Sequence, residues 1–442
     1  MLITTMTNIF LGLYIMVLMY IVYRSSHRET VEEFLDSDKT LTSTQTTWTT
    51  FASLLTGYNF VLGVTFSYLY GFWFLFAFFG LLCAFIVLYF LYKKVLCSYQ
   101  KDNHFFSVGD YFGVRFGLPL KLIVNTMLCV SLLLFLTLQL SVNTGLFTVL
   151  LDTKPLTALL MTAGIVSIYL WFGGFKASVS TDIFQGMLMV PIVLTIFYVP
   201  HFITIENISF GFESSSFMLA IGLALLQFLS LLGQAESFQR IFSTKDTHNL
   251  KKGLIYASIL LIAVAGSIAY VGVNYKIGGT TIDPSLLFTQ GLLPSLPQWL
   301  RSLLTVSLIA AFMGTIDSSA FALGILLSGY KKLSKERMIK TTKLFMVIGI
   351  LISSFASVYL MSFFTTVFAL ISLVSIIGGS VLLIFIKSTS NIDMLAYYSI
   401  AIITFIAGIM SGFITENPMT SCIPIAAGFG GFVISRVFTK NQ

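Results

Sequence analysis

A lone acid stands in one of the most apolar parts of this chain. Residues 310–324 read AAFMGTIDSSAFALG, with Asp317 set among Thr315, Ser318 and Ser319. A charge at the centre of a bilayer costs about 2.5–3.5 kcal/mol on insertion scales, so Asp317 needs a partner, a proton or a task. A carboxylate beside hydroxyls suits a hard cation or a proton relay, and the plainer reading is a structural buried acid, protonated or paired. Two other stretches interrupt their own helices. FASLLTGYNFVLG (51–63) puts Thr56, Gly57, Tyr58 and Asn59 at mid-membrane depth, and LLGQAESFQR (231–240) does the same five spans later. Gly57 and Gly233 could simply let helices pack closely. Breaks at corresponding places in two halves point instead to a secondary transporter whose sites lie at the midplane.

The elements that must carry these residues follow from composition. The 442 residues are 57% hydrophobic and 10% charged, with a mean hydropathy of +0.93. That is far from the roughly 25% charged content of soluble domains, and it predicts an all-α integral membrane protein. Thirteen apolar runs are long enough to cross a hydrocarbon core, at about 6–23, 45–70, 71–92, 118–150, 156–172, 176–200, 215–236, 250–274, 300–329, 341–362, 363–386, 393–414 and 418–436. With the amino terminus outside, the inner loops hold 22 of the 25 basic residues, leaving Lys154, Lys276 and Arg301 outside. That bias supports the orientation and explains the basic pI without nucleic acid. The carboxyl terminus is then cytoplasmic, in a multi-pass protein of the plasma or inner membrane. The loop 329–343 reads as a positive-inside anchor, and Glu236 and Arg240, at i and i+4, as an interfacial ion pair. Cys83, Cys97, Cys129 and Cys422 show no paired spacing, so neither disulfide nor metal is expected. FWFLFAFFG (72–80) reads as lipid contact and core packing.

Three motifs add up to a resemblance. GGFKASVSTDIFQ (173–185), ESFQRIFSTKD (236–246) and the stretch around Asp317 resemble, in order and on the appropriate spans, segments of the sodium:solute symporter family, which includes sodium/glucose, sodium/proline and sialic acid symporters. The resemblance implies a five-plus-five inverted repeat with broken first and sixth core helices. It divides the chain into an extra helix and loop (1–44), a first repeat (45–210), a second repeat (211–390) and two final helices (391–442). It also implies a sodium site built from the carbonyls of Ala52 and Leu55 on the first broken helix and from Ala311, Gly314 and Thr315 on the eighth core helix. Gly314 stands where a serine hydroxyl is usual, so a ligand is lost. A further sodium position in some members corresponds here to Asp182, Asp317 and Ser318, and Asp317 could compensate for the missing hydroxyl. Ala311, Gly314, Thr315 and Ser318 stand at i, i+3, i+4 and i+7, on one helical face.

Solute contacts are expected beside the breaks: Thr56, Tyr58 and Asn59, then Gln139 and Asn143 with Ser141, then Ser230 and Gln234 with Gln227. Without lysine or arginine at mid-membrane, a neutral or zwitterionic solute is favoured over a strongly anionic one: a sugar, an amino acid or a sialic-acid-like molecule. The expected activity is sodium-coupled import by alternating access, with Na+ as coupling ion, no other cofactor and a monomeric functional unit in the lipid bilayer. Three alternatives stand beside it: proton coupling through Asp317, a non-transporting sensor, and a membrane enzyme. An enzyme would need a clustered catalytic set, whereas His27, His104, His201 and His248 all lie in or near loops.

Overall fold

A helix that is apolar on every side belongs in a protein interior, and the computed structural model builds its axis from such a helix. It describes residues 5–26, 40–97, 105, 107–151, 153–204, 206–212, 216–329, 334–359, 363–386, 388–414 and 417–440. In chain order the main helices are α1 (Thr5–Ser26), α2 (Ser43–Leu54), α3 (Gly57–Tyr70), α4 (Leu75–Leu91), α5 (Val108–Phe116), α6 (Leu118–Leu151), α7 (Pro155–Phe172) and α8 (Phe175–Met189). There follow α9 (Phe217–Gly233), α10 (Ala235–Ser243), α11 (Thr247–Ile277), α12 (Gln298–Ser328), α13 (Lys335–Val358), α14 (Phe363–Leu383), α15 (Asn391–Met410) and α16 (Ile423–Lys440). Every residue of α12 from Leu304 to Leu326 is buried. Around it pack α1, α6, α8 and α13, with smaller contacts from α2, α3 and α10.

The outer helices turn apolar side chains outward. Met16, Phe355 and Ile403 are 67%, 68% and 66% exposed, which water would penalise and lipid tails do not. The aromatic run 72–80 divides as expected. Phe74 and Phe78 are buried, Trp73 packs edge-on against Phe217 with ring centroids 4.9 Å apart, and Phe79 faces outward. Eleven helices among the described residues are long and apolar enough to cross a membrane, or twelve if the bent pair α9 and α10 is one span. Thirteen separate spans are not resolved. Residues 45–70 and 71–92, expected as two spans, share a helical run from Asn59 to Leu96 that passes through a 3-10 turn at Gly71–Phe74. The anchor loop 329–343 lies partly outside the described residues, which resume at Ser334 before α13.

Local chemistry sets the helix starts. Thr42 caps α2 with a reciprocal bond to Gln45, Ser107 caps α5 with Asp110, and Ser390 caps α15 with Asp393. Asp246 caps α11, and the backbone N–H of Asn249 holds its exposed carboxylate below the ordinary aspartate range. No named strand occurs among the described residues. A single parallel bridge joins Leu41 to Thr244, where the Leu41 N–H donates to the Ser243 carbonyl at 3.1 Å and the Lys245 N–H to the Leu41 carbonyl at 3.1 Å. It ties the approach to α2 to the end of α10.

Candidate ion-coupling site and solute cavity

Two helices are broken, and in neither does the glycine make the break. Between α2 and α3 the extended residue is Thr56 (φ −71°, ψ 158°), and between α9 and α10 it is Gln234 (φ −72°, ψ 130°). The axes of α9 and α10 differ by 53°. Gly57 and Gly233 do the packing work instead. A Cβ on Gly57 would sit 2.5 Å from the Phe312 ring, and one on Gly233 would sit 2.1 Å from the Val374 carbonyl oxygen. Each break is thus an extended residue next to a glycine that presses the chain against a neighbouring helix.

The first break exposes main-chain oxygen. The last carbonyls of a helix lack intrahelical donors and need other partners. Here the Phe51 carbonyl accepts the Leu55 N–H at 3.0 Å, and the Leu54 carbonyl accepts Asn59 Nδ2 at 2.6 Å. Among the described residues no hydrogen bond reaches the carbonyls of Ala52 or Leu55. Thr56 is itself a cap, its hydroxyl accepting the Asn59 N–H at 3.3 Å.

Opposite that break lies the α12 face. The Thr315 hydroxyl donates back to the carbonyls of Ala311 and Phe312, both at 3.0 Å, which leaves its lone pairs directed off the helix. Ala311 therefore already has a hydroxyl on its carbonyl. Gly314 faces Gln185 of α8: a Cβ there would stand 2.2 Å from Gln185 Oε1.

One turn further along, three helices meet through charge. Arg240 Nη2 lies 2.9 Å from Asp182 Oδ2 and donates to Ser318 Oγ at 3.2 Å. Ser318 Oγ also lies 3.2 Å from Asp317 Oδ1 and 3.4 Å from Asp182 Oδ1, and Thr181 Oγ1 donates to Asp317 Oδ2 at 3.4 Å. Asp182, Asp317, Ser318 and Arg240 are all buried. Two sequence-based expectations change here. Arg240 is an interior residue, not part of an interfacial loop. It does not pair with the Glu236 carboxylate, because it touches Glu236 only at the backbone carbonyl, 3.1 Å away, while Ser319 Oγ donates to Glu236 Oε1 at 2.6 Å. The i and i+4 spacing sets two side chains side by side; a carboxylate on another helix lies nearer the guanidinium and takes it.

Both breaks open onto adjoining cavities. One, of about 650 Å³, is bounded by Ser230, Gln234, Glu236, Thr315, Ser318 and Ser319. The other, of about 760 Å³, is bounded by Thr56 and Asn59 with apolar walls that include Phe66, Phe74 and Phe78. Ser53, Gln227, Gln234 and Ile371 line both. Thr56, Asn59, Ser230 and Gln234 are thus brought together. Gln139 and Asn143 line neither cavity; both are fully buried on α6, and their amide atoms find no hydrogen-bond partner among the described residues. Tyr58 stands in the first turn of α3, and its side chain lies outside the described residues. Asp317 also borders a smaller cavity of about 190 Å³, with Thr181 and Gly173.

Ser53, Ser319, Gln185 and Arg240 belong to this region without having been expected as site residues. Ser53 and Ser319 could have been found by their positions. Ser53 directly follows Ala52 at the break, and Ser319 lies one turn beyond Thr315 on the same helix. No group of histidines, cysteines and carboxylates suited to a transition metal occurs among the described residues, whereas the hydroxyls and carbonyls present suit an alkali cation.

The sequence model of the sodium:solute symporter family matches residues 34–388. No curated protein matches the chain in sequence. Among solved structures, one described as the substrate-bound outward-open state of a Na+-coupled sialic acid symporter, revealing a novel Na+-site, superposes with a TM-score of 0.81. The two are 15% identical, over 98% of each chain, so that likeness bears on the fold. The chain belongs to the sodium:solute symporter family and is a multi-pass membrane transporter, not an enzyme.

Proposed function

We propose that this transporter imports a small neutral or zwitterionic organic solute together with Na+. The observation that carries this reading is the pair of cavities at the helix breaks, which share Ser53, Gln227, Gln234 and Ile371, one of them bounded by Thr315 and Ser318. Sodium would take the carbonyls of Ala52 and Leu55, which lack hydrogen-bond partners among the described residues, together with the Thr315 hydroxyl and the polar cluster of Asp182, Asp317 and Ser318. The solute would lie between Thr56, Asn59, Ser230 and Gln234. Among the described lining residues the charged side chain is Glu236, which disfavours an anion and suits a solute bearing an ammonium group. Gln139 and Asn143 would act from behind the cavity wall.

Each elementary charge crossing 100 mV supplies about 2.3 kcal/mol, enough to concentrate the solute when sodium enters down its gradient. Alternating access would come from the bundle containing α2, α3, α9 and α10 rocking against its surroundings, in a five-plus-five repeat spanning 45–210 and 211–390. A thirteenth span would arise by dividing the Asn59–Leu96 run at Gly71, whose φ of 65° suits a chain reversal. The amino terminus would lie outside and the carboxyl terminus in the cytoplasm, with one chain as the functional unit. The cavity beside Asp317 favours a second reading, in which a proton on that acid replaces sodium.

Uptake of a panel of neutral, zwitterionic and anionic solutes into proteoliposomes tests these readings, with sodium or choline outside at two pH values. Accumulation of a zwitterion only in sodium is the expected result. Uptake indifferent to sodium but driven by a pH gradient would replace the cation with the proton.

A further inference from the structure

The cavity that borders Glu236 is lined by hydroxyls whose protons are already spent. Ser53, Ser131 and Ser230 donate to the carbonyls of Thr50, Leu128 and Gln227 at 3.0, 2.9 and 3.2 Å. Thr315 donates to the Ala311 and Phe312 carbonyls, Ser318 to Asp317 Oδ1, and Ser319 to Glu236 Oε1. A hydroxyl whose proton is committed within the protein can only accept from a guest. Glu236 adds a full charge to that accepting wall. One of its oxygens holds Ser319, and no hydrogen bond among the described residues reaches the other. The side-chain donors left on the described wall are the amides of Gln227 and Gln234, which border both cavities. The adjoining cavity differs in kind. Beyond Thr56 and Asn59 its wall is mainly hydrocarbon, with Phe66, Phe74, Phe78, Leu81, Leu223 and Phe368 among its residues.

We infer that the solute is an amphipathic amine, with its ammonium group against Glu236 in the hydroxyl-lined cavity and its apolar body among the phenylalanines of the other. This rests on the two-cavity solute site proposed above and narrows its solute to one that joins a cationic head to a ring-sized hydrocarbon. An ammonium group brings three donors and no acceptor, which matches a wall of acceptors with one carboxylate. A polyol could give its protons to the same wall, yet its own oxygens would find few donors and Glu236 would keep an uncompensated charge. A bare cation would satisfy Glu236 but would leave most of a space of about 650 Å³, and the apolar cavity beside it, without a purpose.

The test uses the full-length protein purified in detergent with sodium, and reads affinity from the rise in melting temperature with ligand concentration. Phenethylamine and phenylalanine carry both the ammonium and the ring, 3-phenylpropanoate keeps only the ring, ethylamine keeps only the ammonium, and glucose has neither. The first two are expected to bind, the next two at least about tenfold more weakly, as loss of a charge-assisted contact or of a buried ring would give, and glucose not at all. Glu236→Gln should weaken both ring-bearing amines about 10–100-fold. A variant that instead loses its response to sodium, with amine affinity intact, would hand Glu236 to the ion and overturn the proposal. Ile371→Trp fills a wall that the cavities share and reports on the solute site itself. Stabilisation by glucose or 3-phenylpropanoate that exceeds that of the amines and is lost in Ile371→Trp would overturn the amine and keep the cavities as the solute site. Amine binding that survives Ile371→Trp would overturn the cavities and the proposal with them. No response to any of the five compounds, in protein that sodium alone stabilises, would also end it. Should Ile371→Trp fail to fold, the ranking of the five compounds and the Glu236→Gln comparison decide.

Discussion

The two helix breaks offer opposite chemistry. At the first, Thr56 and Asn59 satisfy each other and the Leu54 carbonyl, and what remains is neutral main-chain oxygen at Ala52 and Leu55. At the second, Gln234 has no side-chain cap, Glu236 lies in the first turn of α10, and Arg240 reaches from its last turn to Asp182. A half-helix ending in bare carbonyls attracts a cation, whereas one beginning with an acid and ending with a buried guanidinium fastens its neighbours. In the proposed site the first broken helix would hold the cation, and the second fastens α8 through Arg240.

That contrast can be broken at the latch first. Arg240→Ala leaves the buried Asp182 carboxylate without its guanidinium and should destabilise the protein by about 3–5 kcal/mol, read as the melting temperature in detergent. The equivalent change at the first break has no charge to strand. Asp317→Asn comes next. If Asp317 helps to hold the cation, sodium affinity falls by about tenfold or more while pH dependence persists; if it carries the coupling proton, the pH response vanishes and sodium affinity stays. Titrating both ions against uptake separates the two.

Smaller effects sharpen the picture. Thr56→Val removes the α3 cap and should cost about 1 kcal/mol, with Thr56→Ser close to wild type in thermal melts. Glu236→Gln keeps an acceptor for Ser319 and should change stability by less than about 1 kcal/mol. Its expected signature lies in selectivity, with weaker inhibition of uptake by ammonium-bearing competitors and an unchanged response to neutral ones. An unchanged inhibition profile would remove Glu236 from solute recognition.

Much of the frame is legible in the sequence because it depends on local composition. Apolar runs, basic loops and capping residues are one-dimensional signals, and the membrane class, the two interrupted helices and the family motifs follow from them. Asp317 stood out for the same reason, as a charge with no local excuse. What escaped depends on contacts between distant helices. Glu236 and Arg240 look like a pair because spacing along α10 is visible and the approach of α8 is not. Gly314 stands out in sequence as a place where a hydroxyl is lost, whereas the approach of Gln185 from α8 to that position is not visible there. Gln139 and Asn143 stand out as polar residues on an apolar helix, whereas the part of α6 that lines the first cavity, Ser131, Leu132 and Phe135, is set by packing between helices. The boundary expected between residues 70 and 71 falls on Gly71, where α3 ends and a 3-10 turn begins, within one apolar run from Asn59 to Leu96.

The short bridge between Leu41 and Thr244 has a mechanical meaning. Its two main-chain hydrogen bonds clamp the chain entering α2 to the chain leaving α10, so the ends of the two broken helices that lie away from the breaks are fastened together. In the proposed transport cycle, bending at Thr56 would then be coupled to bending at Gln234, and the two broken helices would move together.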